Sequence, residues 1–136
     1  MSKLVPPHGG KGLVCCLLEG KALEDEKKKA AGLKQIEISS RAKGDLIMMG
    51  IGGFSPLTGF MNKADWKSVC EKMLLSDGTF WPVPVTLDIS AEDAKGLKVG
   101  QEVALVRKGE IMATMKVEEI YEMTEADKKW ECELVF

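Results

Sequence analysis

Apolar residues recur along this chain at two spacings, and each spacing marks its own elements. Gln35-Ile36-Glu37-Ile38-Ser39 alternates polar with apolar positions, which sets Ile36 and Ile38 on the buried face of a half-buried strand. The runs 102–107 and 110–117 are two further apolar segments with Lys108-Gly109 between them. Two residues ending in Gly between such runs signal a tight hairpin, and the second strand is expected to continue through a bulge to Ile120-Tyr121. Val83, Val85, Leu87 and Ile89 alternate too. A strand is expected there, at a sheet edge or bulge, because Pro82 and Pro84 have no N–H to donate.

Helical spacing is clearest where Trp66, Val69, Cys70 and Met73 fall at i, i+3, i+4 and i+7, one apolar stripe of an amphipathic helix ending near Leu75. Asn62 stands three positions before Asp65, the arrangement that caps a helix start. Ser40 is the expected cap of a short helix through Asp45-Leu46-Ile47-Met48, ended by Gly50 or by Gly52-Gly53. Ser90 with Asp93 predicts a helical turn to Leu97, and Thr124 with Asp127 predicts a helix carrying Trp130, Leu134 and Val135. Residues 20–32 suit a polar surface helix or loop, and the Pro/Gly-rich lead-in from Pro6 to Gly12 turns before the apolar stretch 13–18. The sum is three or four strands, several short helices and one hairpin, without sustained βαβ alternation. That pattern predicts a mixed α+β fold, mainly β: one domain over 1–136, a small sheet-based barrel with short helical insertions rather than a doubly wound sheet.

Composition fits a single folded domain. A chain of 136 residues, 45% hydrophobic and 29% charged, buries roughly two-thirds of its unfolded surface. With a net charge of −2 and only Arg41 and Arg107 as arginines, it lacks the clustered cations that nucleic-acid binding through counterion release requires. Lys27-Lys28-Lys29 follows Glu24-Asp25-Glu26 and reads as a solvated face. The longest apolar run, 46–54, is too short to span a bilayer, and the first residues lack the pattern of a secretory signal. A cytoplasmic location is expected, with no membrane and no nucleic acid among the partners. Cys15, Cys16, Cys70 and Cys132 contain no C-x-x-C pair, so they read as free, mostly buried thiols in a reducing compartment. A redox role for the vicinal pair Cys15-Cys16 is the alternative.

Candidate chemistry is sparse. His8 is the sole histidine and lies in the Pro/Gly lead-in, where a surface or packing role is the simpler reading. Gly9-Gly10-Lys11-Gly12 and Gly50-Ile51-Gly52-Gly53 match neither phosphate-cradling pattern and read as turns. Glu118-Glu119 and Asp25-Glu26 are adjacent in sequence and would point apart, so neither makes an acid/base pair. The residues describe a folded domain without an active site.

One segment is distinctive: Ile51-Gly52-Gly53-Phe54-Ser55-Pro56-Leu57-Thr58-Gly59-Phe60-Met61, continuing through Asn62-Lys63-Ala64-Asp65-Trp66. It resembles the N-terminal domain of ATP sulfurylases (sulfate adenylyltransferases), with Gly53 where Ala is usual. Pro7-His8-Gly9-Gly10, the stretch from Asp77 to Asp88, and Val117-Glu118-Glu119-Ile120-Tyr121 are similar to the same family in the same order. The likeness implies a PUA-like β-barrel and a structural family motif at Gly53, Phe54, Ser55, Pro56, Leu57, Gly59, Phe60 and Met61. For the parent enzyme it implies adenylyl transfer from MgATP to sulfate, giving adenosine 5′-phosphosulfate and pyrophosphate. That family keeps its catalytic groups on a Q-x-R-N and an H-x-x-H motif in a following domain. Here a single histidine excludes the second, and Asn62, the single asparagine, follows Met61 rather than Arg and excludes the first. No catalytic, cofactor-binding or metal-binding residue carries over, and no cofactor is expected in this domain.

The resemblance therefore implies a structural domain, inactive alone, whose partner is the missing catalytic domain of the same enzyme, within a parent for which a homo-oligomer is allowed. An end on Leu134-Val135-Phe136 reads as a cut, with an apolar patch from Trp130 to Phe136 expected to dock the remainder. Two other classes compete: a free-standing PUA-like module binding RNA or protein, and a redox protein using Cys15-Cys16.

Overall fold

The computed structural model describes residues 4–135, and side chains for residues 4–133. The elements run α1 (Gly20–Ala30), β1 (Lys34–Glu37), α2 (Ser40–Gly50), α3 (Lys63–Lys72), α4 (Ala91–Lys95), β2 (Glu102–Arg107), β3 (Glu110–Lys116) and α5 (Glu125–Val135). They fall into two compact units, one formed by the chain up to Gly59 together with Glu102–Met115, the other by Phe60–Gln101 together with the chain from Lys116 onward.

The first unit is built on a three-stranded sheet of order β1-β2-β3. The hairpin forms as its sequence dictates. Lys108 and Gly109 have φ of 52° and 80°, the two positive values of the turn whose twist matches its flanking strands. β2 takes the middle position, and Val103, Ala104, Leu105 and Val106 are all buried. A strand paired on both sides and covered on both faces loses the polar/apolar alternation of a half-exposed one, which explains the continuous apolar run. β1 pairs with β2 in parallel, Ile36 opposite Leu105, and Ile36 and Ile38 are fully buried as their alternation predicts. The end of α1 closes over this sheet, where Ala30, Ala104 and Val106 form a cluster flanked by Leu33 and Ile111. Surface charges hold α1 in register. Lys29 Nζ lies 2.8 Å from Glu26 and 3.2 Å from Glu102, and Thr114 donates to Glu26 at 2.6 Å.

α2 is capped by Ser39, whose hydroxyl accepts from the Ala42 N–H. The expected cap, Ser40, is instead the first helical residue. Ser39 has the extended backbone, with ψ of 165°, that lets a side chain fold back onto the first turn.

In the second unit, α3 begins at Asn62, whose side chain accepts from the Asp65 N–H at 2.8 Å. Trp66, Val69 and Cys70 are buried as the stripe requires. Met73 is not: it is the left-handed C-cap, with φ of 55°, and that reversal turns its side chain out to 46% exposure. Ser90 and Asp93 cap α4 reciprocally, as do Thr124 and Asp127 at α5. α4 ends at Lys95, short of Leu97.

Two expectations about strand content need correction. The alternating run 83–89 forms no strand: Pro82 and Pro84 offer no donor, Val83 is exposed, and Val85 is tied by a single backbone bond to Met61. β3 likewise stops at Lys116 rather than continuing to Tyr121. Among the described residues helix exceeds strand, so the fold is mixed rather than mainly β. Its sheet is open, with β1 and β3 as edges.

Candidate functional site

The distinctive segment begins where α2 ends. Ile51 caps the helix, and the next N–H groups fold back onto its last carbonyls: Gly52 to Met49 at 3.3 Å and Gly53 to Met48 at 2.8 Å. Gly52 is buried with φ of +80°, a conformation that disfavours any Cβ. Leu13 and Cys15 close over it, so near that a Cβ at this position would stand 2.8 Å from Leu13 Cγ and 2.9 Å from Cys15 Sγ.

Ser55 is the hub of the turn. It is buried, its hydroxyl donates to the Gly52 carbonyl at 2.7 Å, and it accepts from the Val14 N–H at 2.9 Å. One hydroxyl thus satisfies two backbone groups, one of them the Val14 N–H 41 positions away along the chain, groups that would each be costly to leave unmade. Its proton and a lone pair are both committed to backbone, which leaves no free nucleophile. Leu57 is buried and Phe54 and Pro56 partly so. Gly9, with φ of +84°, lies against Pro56, where a Cβ would meet Pro56 Cγ at 2.9 Å. The lead-in therefore packs as a strap along the end of α2, with Cys16 and Leu17 donating to the Met49 and Gly50 carbonyls.

The rest of the segment belongs to the second unit. Met61 is buried, its N–H donates to Val85, and its carbonyl accepts from the Tyr121 hydroxyl at 2.9 Å. Glu119 accepts from the Lys63 N–H at 3.2 Å, placing a carboxylate at the positive end of α3. Trp66 Nε1 donates to Glu131 at 2.8 Å, and the Trp66 ring meets Trp130 edge-on with centroids 5.5 Å apart.

Burial, reinforced by Glu119, Asp88 and Glu131, pushes the Tyr121 hydroxyl up to about 12. Burial, with Glu131 and Glu71, pushes the Cys70 thiol up to about 11. The folded protein holds the Tyr121 proton more tightly than the unfolded chain, whose tyrosine ionises near about 10. Its contribution to stability is therefore full below pH 10 and is lost as pH rises through 12. Tyr121 is the only tyrosine, so its phenolate absorbance reports it alone. That titration should have its midpoint near 12, and Tyr121→Phe should flatten the alkaline fall, leaving the part due to Cys70. Ionisation near 10 in the folded protein would contradict the burial.

Among the described residues no group of three or more His, Cys, Asp or Glu could hold a metal ion, and none of their helices is long and apolar enough to cross a membrane. His8 is exposed. Arg107 is engaged in the fold, donating to the Ile38 carbonyl at 3.1 Å beside Glu37. All four cysteines are free, but only Cys70 is buried, which corrects the expectation of mostly buried thiols. Cys15 and Cys16 ride on the exposed strap. The expected patch from Trp130 to Phe136 is half-buried at Trp130, while Leu134, Val135 and Phe136 lie outside the described side chains. Sequence reading missed the Ser55 hub and the Tyr121 tether, since each joins residues far apart along the chain and leaves no local pattern.

Backbone ties made by Ser55 and on Met61 thus hold the distinctive segment in place. The PUA-like domain family matches residues 5–136, and the chain belongs to that family. It is similar over its whole length to sulfate adenylyltransferases, 90% identical to that of Desulfovibrio desulfuricans and 73% to that of Desulfatibacillum aliphaticivorans, in each case spanning 32% of the relative. A solved structure described as a hexameric APS kinase from Thiobacillus denitrificans superposes with a TM-score of 0.77 at 31% identity, covering 88% of this chain and 24% of that one. The chain thus spans about a third of the length of the curated relatives it matches.

Proposed function

We propose that this chain is the N-terminal, non-catalytic domain of a sulfate adenylyltransferase. One observation carries the reading: 90% identity over all 136 residues to an enzyme of that name, of which the chain makes up 32%. The parent reaction joins sulfate to the α-phosphate of MgATP and releases pyrophosphate. Attack of one anion on another needs converging positive charge and hydrogen-bond donors. In this chain Arg107 and Lys29 are engaged in structural pairs, and MgATP and the catalytic groups belong to the remainder of the enzyme.

The segment Gly53, Phe54, Ser55, Pro56, Leu57, Gly59, Phe60 and Met61 serves here as a structural knot, a reading supported by the two bonds of the Ser55 hydroxyl and the tether on Met61. The two compact units are taken as one domain of barrel type, on the strength of one family match across 5–136 and of further extended pairing, Gly100 and Gln101 with Val117. Free thiols favour a reducing, cytoplasmic setting. The hexameric neighbour favours an oligomeric parent, and the net charge of −2 weighs against nucleic acid.

The test is sulfate-dependent pyrophosphate release. The 136-residue chain should give background, and the same chain joined to the remaining two-thirds of the Desulfovibrio enzyme should turn over. Turnover by the chain alone would refute the reading.

A further inference from the structure

In a chain of which 29% is charged, residues 12–18 and 46–59 contain no charged side chain. The fold lays one against the other in the first unit, through the Cys16 to Met49 and Leu17 to Gly50 bonds at 3.1 and 3.2 Å. Leu13, Leu17, Ile47 and Ile51 are each at least half exposed there. Leu17, Ile47 and Ile51 line a cavity of about 180 Å³ with Leu46, Gly50 and Met112. Isolated exposed apolar residues are ordinary on protein surfaces. A contiguous apolar face stripped of charge is the composition of an interface core. No charged side chain lines the cavity, so it suits neither sulfate nor nucleotide phosphate.

We propose that this face, formed by the strap and the C-terminal half of α2, is the surface on which the remaining two-thirds of the enzyme chain packs. The inference rests on the parentage proposed above. The relatives carry this sequence within chains about three times as long, so the remaining two-thirds is tethered to this domain and meets the face at high effective concentration. A second copy would need the same face to be self-complementary about a two-fold axis.

The experiment uses the full-length enzyme assembled from this chain and the rest of the Desulfovibrio relative, with Ile47→Lys/Ile51→Lys as the variant. Both side chains are exposed in the 136-residue chain, so the variant chain alone should keep the melting temperature of its parent. Cys15 and Cys16 lie on the strap and are exposed, which makes their alkylation by iodoacetamide, read by mass spectrometry, a footprint of the face. Alkylation should be at least about tenfold slower in the full-length enzyme than in the chain alone, as for groups that react only on opening. The double variant should abolish that protection. Equal rates in the two wild-type forms would overturn the proposal, as would protection that disappears on dilution, which assigns the face to a second copy. Failure of the parentage has a separate signature: the wild-type full-length protein would release no pyrophosphate in response to sulfate, whatever its thiol rates.

Discussion

Trp66→Ala should destabilise the protein by about 3–5 kcal/mol, the usual cost of emptying a large buried aromatic site. The side chain is 2% exposed, packs edge-on against Trp130 and anchors its indole N–H on Glu131. The substitution therefore removes apolar burial, an aromatic pair and a charge-assisted hydrogen bond together. Against a total stability of roughly 5–15 kcal/mol for an ordinary domain, that is a large part. A urea titration reads it as a collapse of the midpoint. Trp66→Phe separates the contributions: it keeps most of the packing, loses the N–H donor to Glu131 and deletes the coupled near-ultraviolet dichroism of the indole pair, at about 1.5–3 kcal/mol for a hydrogen bond to a charged group. A midpoint unchanged by Trp66→Ala would show that α3 and α5 do not depend on this contact.

The second large effect is expected at Gly52, and its neighbour supplies the control. Gly52→Ala puts a Cβ on a left-handed residue, at roughly 1–2 kcal/mol, and drives it into Leu13 and Cys15 at 2.8 and 2.9 Å. Displacing the strap adds about 1–3 kcal/mol, typical of overpacking, so a total of about 2–5 kcal/mol is expected. Gly53→Ala clashes with the tip of the Met48 side chain, whose Cε would be 2.5 Å away and can swing aside, while the Met48 carbonyl oxygen at 3.4 Å is at ordinary contact distance. Restricting the unfolded chain offsets that adjustment by about 0.4–1 kcal/mol, so Gly53→Ala should be neutral or slightly stabilising. Thermal melts of the two variants check the contrast. Equal losses would mean that the strap does not close over Gly52.

What could be read from the sequence was whatever a short stretch decides alone. The Lys108-Gly109 hairpin was legible because two residues set its turn, and the starts of α3, α4 and α5 because each cap acts within three positions. The Trp66 stripe was legible as far as helical periodicity held and failed at Met73, where the C-cap reverses the chain. The run 83–89 shows the opposite failure: alternation marks a strand only if a neighbour accepts it, and two prolines removed the donors. The parallel pairing of β1 with β2, the Ser55 hub and the Tyr121 tether depend on residues brought from far along the chain. Their partners are chosen by tertiary packing, which local spacing does not encode. The family segment marked the right place without showing what its serine does.

The route of the chain through the first unit also constrains the order in which it can be made. β1 leaves the ribosome early, yet its partner is β2, and Arg107 reaches Ile38 across 69 positions. Between them the whole stretch from Phe60 to Gln101 is synthesised, and it belongs to the other unit. α1, β1 and α2 must therefore wait with Ile36 and Ile38 uncovered until Val103–Val106 emerges. Closing an excursion of that length adds entropy cost only slowly with length, but it delays the moment at which burial can reward it. Released chains truncated before residue 102 should leave those isoleucines open to chaperones, and chains that extend through 117 should not.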